Sequence, residues 1–175
     1  MQLQDLNVHD STIALIHIGI LTGTPIINNS MTVTDTIITN CTIPGQIDMI
    51  SIGNVQSIYE FGITFKNFTF TNIDFQFGGN LIKYSHLLKN SFELTDSSFS
   101  NITGGRINIE SFTADTDGLT TKVLMTNIHV DNINSEYGSF IVLKTGADVN
   151  ILNSSFTNID SYEQGSIIFA QSQQI

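Results

Sequence analysis

Four histidines, six basic side chains, sixteen carboxylates and one cysteine are the groups from which this 175-residue chain could build acid–base, metal or nucleophilic chemistry. A general acid and its base must lie within hydrogen-bond reach of one another. His9, His17, His86 and His129 are scattered, and Lys66, Lys83, Lys89, Arg106, Lys122 and Lys144 follow no common spacing. No nucleophile–base pair is visible in the sequence, so no catalytic residue is expected and the chain reads as a non-enzyme. Asp115-Thr116-Asp117-Gly118 has the opening of a calcium loop but lacks the later bidentate Glu, although Glu110 is near. A solvated turn explains that tetrapeptide as well as a metal does. No metal site is expected, Asp115 and Asp117 are weak candidates, and calcium is the only cofactor suggested.

The other chemistry written in the sequence is modification. Asn-x-Ser/Thr sequons begin at Asn28, Asn40, Asn67, Asn101 and Asn153. With seventeen Asn and 37 Ser plus Thr in the chain, that number is close to what chance supplies. Cys41 has no partner for an internal disulfide, and four of its five counterparts in the pattern below are Ile, so a small core residue is expected there.

What must position these residues is a repeat. Six copies of one line begin near residues 1, 31, 63, 92, 123 and 149. The third position reads Leu3, Val33, Phe65, Leu94, Met125, Ile151, and the eighth reads Val8, Ile38, Phe70, Phe99, Val130, Phe156. The fifth is Asp5, Asp35, Asn67, Asp96, Asn127, Asn153, and the tenth is Asp10, then Asn40, Asn72, Asn101, Asn132, Asn158. Successive tenth residues lie 30, 32, 29, 31 and 26 apart. A period near thirty is the mark of a solenoid, here one domain spanning 1–175. His9 and His129 then fall four coils apart, about 19 Å at ~4.8 Å per strand, too far for one proton relay.

Composition agrees with strands: 27 Ile and 20 Thr stand against four Ala. After the tenth column comes Gly and a second β-rich run, as in Gly45-Gln46-Ile47, Gly79-Asn80-Leu81-Ile82 and Gly105-Arg106-Ile107. Each copy thus offers three short strands, with corners at the fifth column, the tenth column and the Gly. Asp, Asn and Gly tolerate the positive φ that corners need. No Asn-Gly hairpin dipeptide occurs, which argues against an antiparallel sandwich. The fold expected is all-β: a single-stranded parallel β-helix of about six coils. Stacked carboxylates such as Asp5 and Asp35 repel by about 3.5 kcal/mol at an effective dielectric of twenty, so the fifth column is expected to face solvent. The tenth, nearly all Asn, is expected to form an internal or half-buried amide ladder (Asn40, Asn72, Asn101, Asn132, Asn158). On that basis Asn28, Asn67 and Asn153 rank as glycan acceptors above Asn40 and Asn101.

The pattern resembles right-handed parallel β-helix repeats of the pectin-lyase-like superfamily, and most nearly the polymorphic outer-membrane-type and ciliate surface-protein repeats. The likeness is carried by Phe70-Thr71-Asn72 with Gly78-Gly79-Asn80-Leu81, by Phe99-Ser100-Asn101 with Gly104-Gly105-Arg106-Ile107, and by Phe156-Thr157-Asn158 with Gly165-Ser166-Ile167. It implies right-handed winding and a role in adhesion or surface architecture. A formal charge of −10 with only six Lys and Arg argues against a nucleic-acid partner. The longest apolar run, Ile13–Leu21, is too short for a membrane span, and no basic segment of a signal peptide precedes it. Residues 1 and 149 share one phase of the repeat and no capping sequence is apparent, which suggests copies stacking head to tail. The expectation is therefore a structural or adhesive glycoprotein at the cell surface or outside the cell. The alternative is a carbohydrate-binding or polysaccharide-degrading β-helix.

Overall fold

Apolar residues that alternate along a strand share one side of its pleat, so the first, third and eighth positions of a copy must face the same way. The computed structural model of the chain describes residues 2–5, 7–9, 16–19, 29–54, 61–86, 90–111, 121–135, 139–144, 147–161 and 167–170. In it Met31, Val33 and Ile38 are buried, as are Ile63, Phe65 and Phe70, and Phe92, Leu94 and Phe99. The described residues contain no helix. Their strands are β1 (Gln2–Gln4), β2 (Asn7–His9), β3 (Ile16–Gly19), β4 (Asn29–Ile43), β5 (Asp48–Asn54), β6 (Phe61–His86), β7 (Asn90–Ser111), β8 (Thr121–Ser135), β9 (Ile141–Lys144), β10 (Ala147–Leu152), β11 (Ser155–Ser161) and β12 (Ile168–Ala170).

Every pairing between these strands is parallel and keeps the phase of the repeat. Leu3 pairs Val33, Val33 pairs Phe65, Phe65 pairs Leu94, Leu94 pairs Met125, and Met125 pairs Ile151. The run after the Gly makes a second face, in which Ile16, Ile50, Ile82, Ile107, Ile141 and Ile168 lie one above another. The protein is a parallel β-solenoid of coils of about 30 residues, stacked through about four turns with partial coils beyond them.

The corners are where the sequence places them. All the described residues of the fifth and tenth columns have φ between 49° and 58°, the left-handed region that Asn and Asp enter at least cost among residues with a Cβ. These corner residues stand outside the pairing register, and side chains bridge the gap. Ser97 Oγ accepts from the Phe68 amide at 3.1 Å and donates to Thr95 O at 2.7 Å. Ser154 repeats the arrangement one coil pair later, with the Ile128 amide at 3.1 Å and Leu152 O at 2.8 Å. A buried Ser in the sixth column is therefore part of the corner, not a flaw in the core.

Inside, like stacks on like. Phe70 and Phe99 lie nearly parallel with centroids 5.2 Å apart, Phe65 meets Phe92 at 5.7 Å, and Phe99 meets Phe140 edge-on at 5.5 Å. Offset and edge-on pairs of this kind add to the area that the rings bury. Cys41 is buried in this core above Ile73, its thiol turned to Thr39 O. Tyr84 is buried against Phe92, and burial pushes its phenol well above the usual tyrosine range.

Candidate functional site

Three polar features lie on this scaffold: two ladders of corner side chains, the strip between them, and a cleft at the opposite corner. In the fifth column Asn67 Nδ2 donates to Asp35 Oδ1 at 2.8 Å, and Asn127 Nδ2 donates to Asp96 Oδ1 at 2.8 Å. Lys66 Nζ stands 4.0 Å from Asp96 Oδ2 and Asn67 sits between two carboxylates of the column. In the tenth column Asn72 donates to Asn40 at 2.9 Å, Asn101 to Asn72 at 3.0 Å and Asn132 to Asn101 at 2.7 Å. Asn158 turns aside and donates to Asp131 Oδ1 at 2.8 Å.

The inward placement expected for the tenth column is corrected here. Asn40, Asn72, Asn101, Asn132 and Asn158 are all exposed, like Asn67, Asn127 and Asn153. The cause is the shared left-handed φ, which swings both columns off the pleat, while Cys41, Ile73, Ile102 and Ile133 just beyond it point into the core. Amides can form a ladder on the surface as well as within it, so pairing did not specify a side. The ranking of Asn67 and Asn153 above Asn40 and Asn101 as glycan acceptors loses its basis, because all four are exposed. Asn28 lies outside the described residues. Asp35's carboxyl is held below the usual carboxylate range chiefly by the Asn67 and Thr34 hydrogen bonds, with a smaller contribution from Lys66.

Between the ladders the outward seventh and ninth positions form a strip of hydroxyls. Ser98 Oγ meets Thr69 Oγ1 at 3.4 Å, and the Thr71 and Ser100 hydroxyls are 3.2 Å apart. One coil further, Ser155 Oγ lies 2.6 Å from His129 Nδ1. A Ser–His contact thus exists where the sequence reading found no nucleophile–base pair. That reading compared the histidines with one another, whereas the signal was that His129 and Ser155 share the seventh column. Asp131, two residues from His129, has its Oδ1 taken by Thr157 Oγ1 at 2.7 Å and by Asn158. Those two bonds, with His129 a lesser cause, hold its carboxyl below the usual range. The strip lies on open strand whose amides are used in coil-to-coil pairing, so it presents no pair of backbone donors to an oxyanion. Its geometry is that of a surface hydrogen-bond network.

The cleft is of another kind. It has a volume of about 340 Å³ and is lined by Gln46, Asp48, Phe77, Gly78, Gly79, Asn80, Lys83 and Arg106. Arg106 Nε donates to Asn80 Oδ1 at 3.1 Å, Asn80 Nδ2 donates to Asp48 Oδ1, and Lys83 Nζ is 3.7 Å from Asp48 Oδ2. Asn80 is only 7% exposed, whereas Phe77 is 56% exposed. Concave, polar and edged by an aromatic ring, it is the arrangement on this surface best shaped to hold a small ligand.

Asp115 and Asp117 lie outside the described residues. Among the described residues no three His, Cys, Asp or Glu side chains come together as a metal site, and no helix is long and apolar enough to cross a membrane. Compared with known proteins, the chain matches no family model, no curated protein and no solved structure.

Proposed function

We propose that the chain is a structural or adhesive extracellular β-helix, right-handed and of the pectin-lyase-like kind, which extends by adding coil to coil. It does so within a longer surface protein or by stacking copy upon copy into a fibre. The observation that carries this reading is the open edge of the last described coil. β10 and β11 pair only with β8, and β12 pairs only with β9. Val149, Ile151, Phe156 and Ile159 hold core positions there yet are only half-buried, and Leu152 is exposed. A parallel edge of this shape accepts another strand in the same register.

Electron microscopy of the purified chain tests the fibre form. Filaments with a subunit rise of about 29 Å, six strand spacings, are expected. Hydrogen exchange tests the edge itself: β10 to β12 amides should exchange fast in the isolated chain and slowly in the filament or the longer protein. Discrete monomers whose β10 to β12 amides are already as protected as those of β7 would sink the proposal.

A further inference from the structure

We infer that the cleft between the second, third and fourth coils is a binding site for a neutral saccharide ring. The argument starts from coil length. Phe75 to Gly78 stand in the third coil where the fourth has Gly104 alone, between the paired residues Asp74–Thr103 and Gly79–Gly105. The second coil matches the longer third, since Ile43 pairs Phe75 and Asp48 pairs Asn80. Two wide coils are therefore followed by a narrow one. The step between them leaves a ledge on the outside of the solenoid, and the cleft lies on it.

The step also accounts for its glycines. A Cβ on Gly104, which has φ +73°, would come within 2.5 Å of Phe75 O, and one on Gly79 within 2.5 Å of Ile47 O. Gly78, at φ +76°, turns the chain back after the extra residues. The floor is thus backbone, held close by residues that no side chain could replace without displacing the neighbouring coil. The same extra residues carry Phe77 out into solvent, the largest exposure of any large apolar side chain among the described residues. A ring left in water beside a cleft is costly unless something covers it.

The polar groups say what would cover it. They form one linked chain, Arg106–Asn80–Asp48–Lys83, in which a single carboxylate serves one cation directly and the other through a buried amide. The charges are answered within the site, so it does not call for an acidic ligand. It offers instead a fixed row of amide, carboxylate and cationic edges, with Gln46 beside them, next to an exposed aromatic face. A pyranose has the matching halves: vicinal hydroxyls that both donate and accept, and an apolar face of ring C–H groups to lie on Phe77. The inference stands whether or not the chain forms fibres.

The test is a glycan array of neutral oligosaccharides (gluco-, manno-, xylo- and galacto-series and their N-acetylated forms), with polyuronates included. Titration calorimetry of the best-bound neutral oligosaccharide then follows on the full chain, on Phe77→Ala and on Lys122→Ala, an exposed residue outside the cleft. The expected result is saturable binding that Phe77→Ala weakens about tenfold or more, that Lys122→Ala leaves unchanged, and that persists in high salt. Phe77 is exposed, so its removal should leave the melting temperature within a degree or two of the parent, which separates lost binding from lost folding. Absence of any neutral hit, binding that Phe77→Ala does not weaken, or binding confined to polyuronates and abolished by salt would each overturn the inference.

Discussion

The third and fourth coils and the last described one hold the same residue types in the same columns, yet they differ in what those residues achieve. In the middle, Phe65, Phe70, Phe92 and Phe99 are sealed between coils on both sides. At the edge, Ile151 and Phe156 occupy equivalent positions and are only half-buried. Apolar identity is therefore not what makes a core in this fold. A neighbour on each side does, because a single coil is one strand-spacing thick and cannot cover its own interior.

The contrast can be broken most strongly in the middle. Phe99→Ala removes a ring packed between Phe70 and Phe140 and should cost about 3–5 kcal/mol, whereas Phe156→Ala in the same column should cost about 1–2 kcal/mol. Urea titrations of the two variants check this, and equal losses would mean that another chain or segment already seals the edge. Next in size, Gly104→Ala meets both a left-handed φ and the Phe75 carbonyl, so a loss beyond the ~1–2 kcal/mol of the φ alone is expected. Gly53→Ala, where a Cβ would meet nothing within 4 Å, is its control and should change stability by less than about 1 kcal/mol. Smaller again is the ladder. Asn101→Ala gives up the bonds to Asn72 and Asn132 and strains the corner, while Asn101→Gly gives up the bonds alone. The difference between the two melting points reports the corner strain, about 1 kcal/mol.

The smallest effect sharpens the comparison by pH. Asp131 receives its two bonds from Thr157 and Asn158, both on the edge coil, and its carboxyl is held low. A carboxyl lowered on folding stabilises above its unfolded value, about 3.9, and that contribution is lost as pH falls through the lowered folded value. Acidification to pH 3 should therefore speed amide exchange in β11 before β7. Asp131→Asn should flatten the response, and an unchanged exchange pattern would count against the contact.

The fold was legible because three kinds of column repeat together: apolar residues that need an inside, Asx residues that need a corner, and Gly ahead of the second face. Each is a local requirement met six times over, and register follows from stacking like on like. The side on which an Asx column faces was not legible, since an amide ladder satisfies itself equally well in or out. What decides it is the direction a left-handed residue gives its Cβ, and both columns share that conformation. The cleft was hidden for a different reason. The sequence shows that the third-to-fourth interval is shorter than the second-to-third, but a change in loop length becomes a cavity only once the coils are superposed. Phe77 then looked like part of a strand pattern when it is a residue in excess of one. His129 and Ser155 were missed although both stand in a column already written out, because function was sought within residue types and not across coils.

The constant register has a kinetic consequence. Partners along the ladders are about thirty residues apart, from Thr157 and Asp131 at 26 to Asn72 and Asn40 at 32, so hardly any strand contact is local. The first coil to close on another must restrict a loop of that length before any pairing rewards it. Every later coil meets a finished template and adds one strand at a time. Folding should therefore be slow to begin and quick to spread, with a lag set by whichever neighbouring pair closes first. The aromatic stack of Phe70 on Phe99 marks the third and fourth coils as the place to look for that beginning.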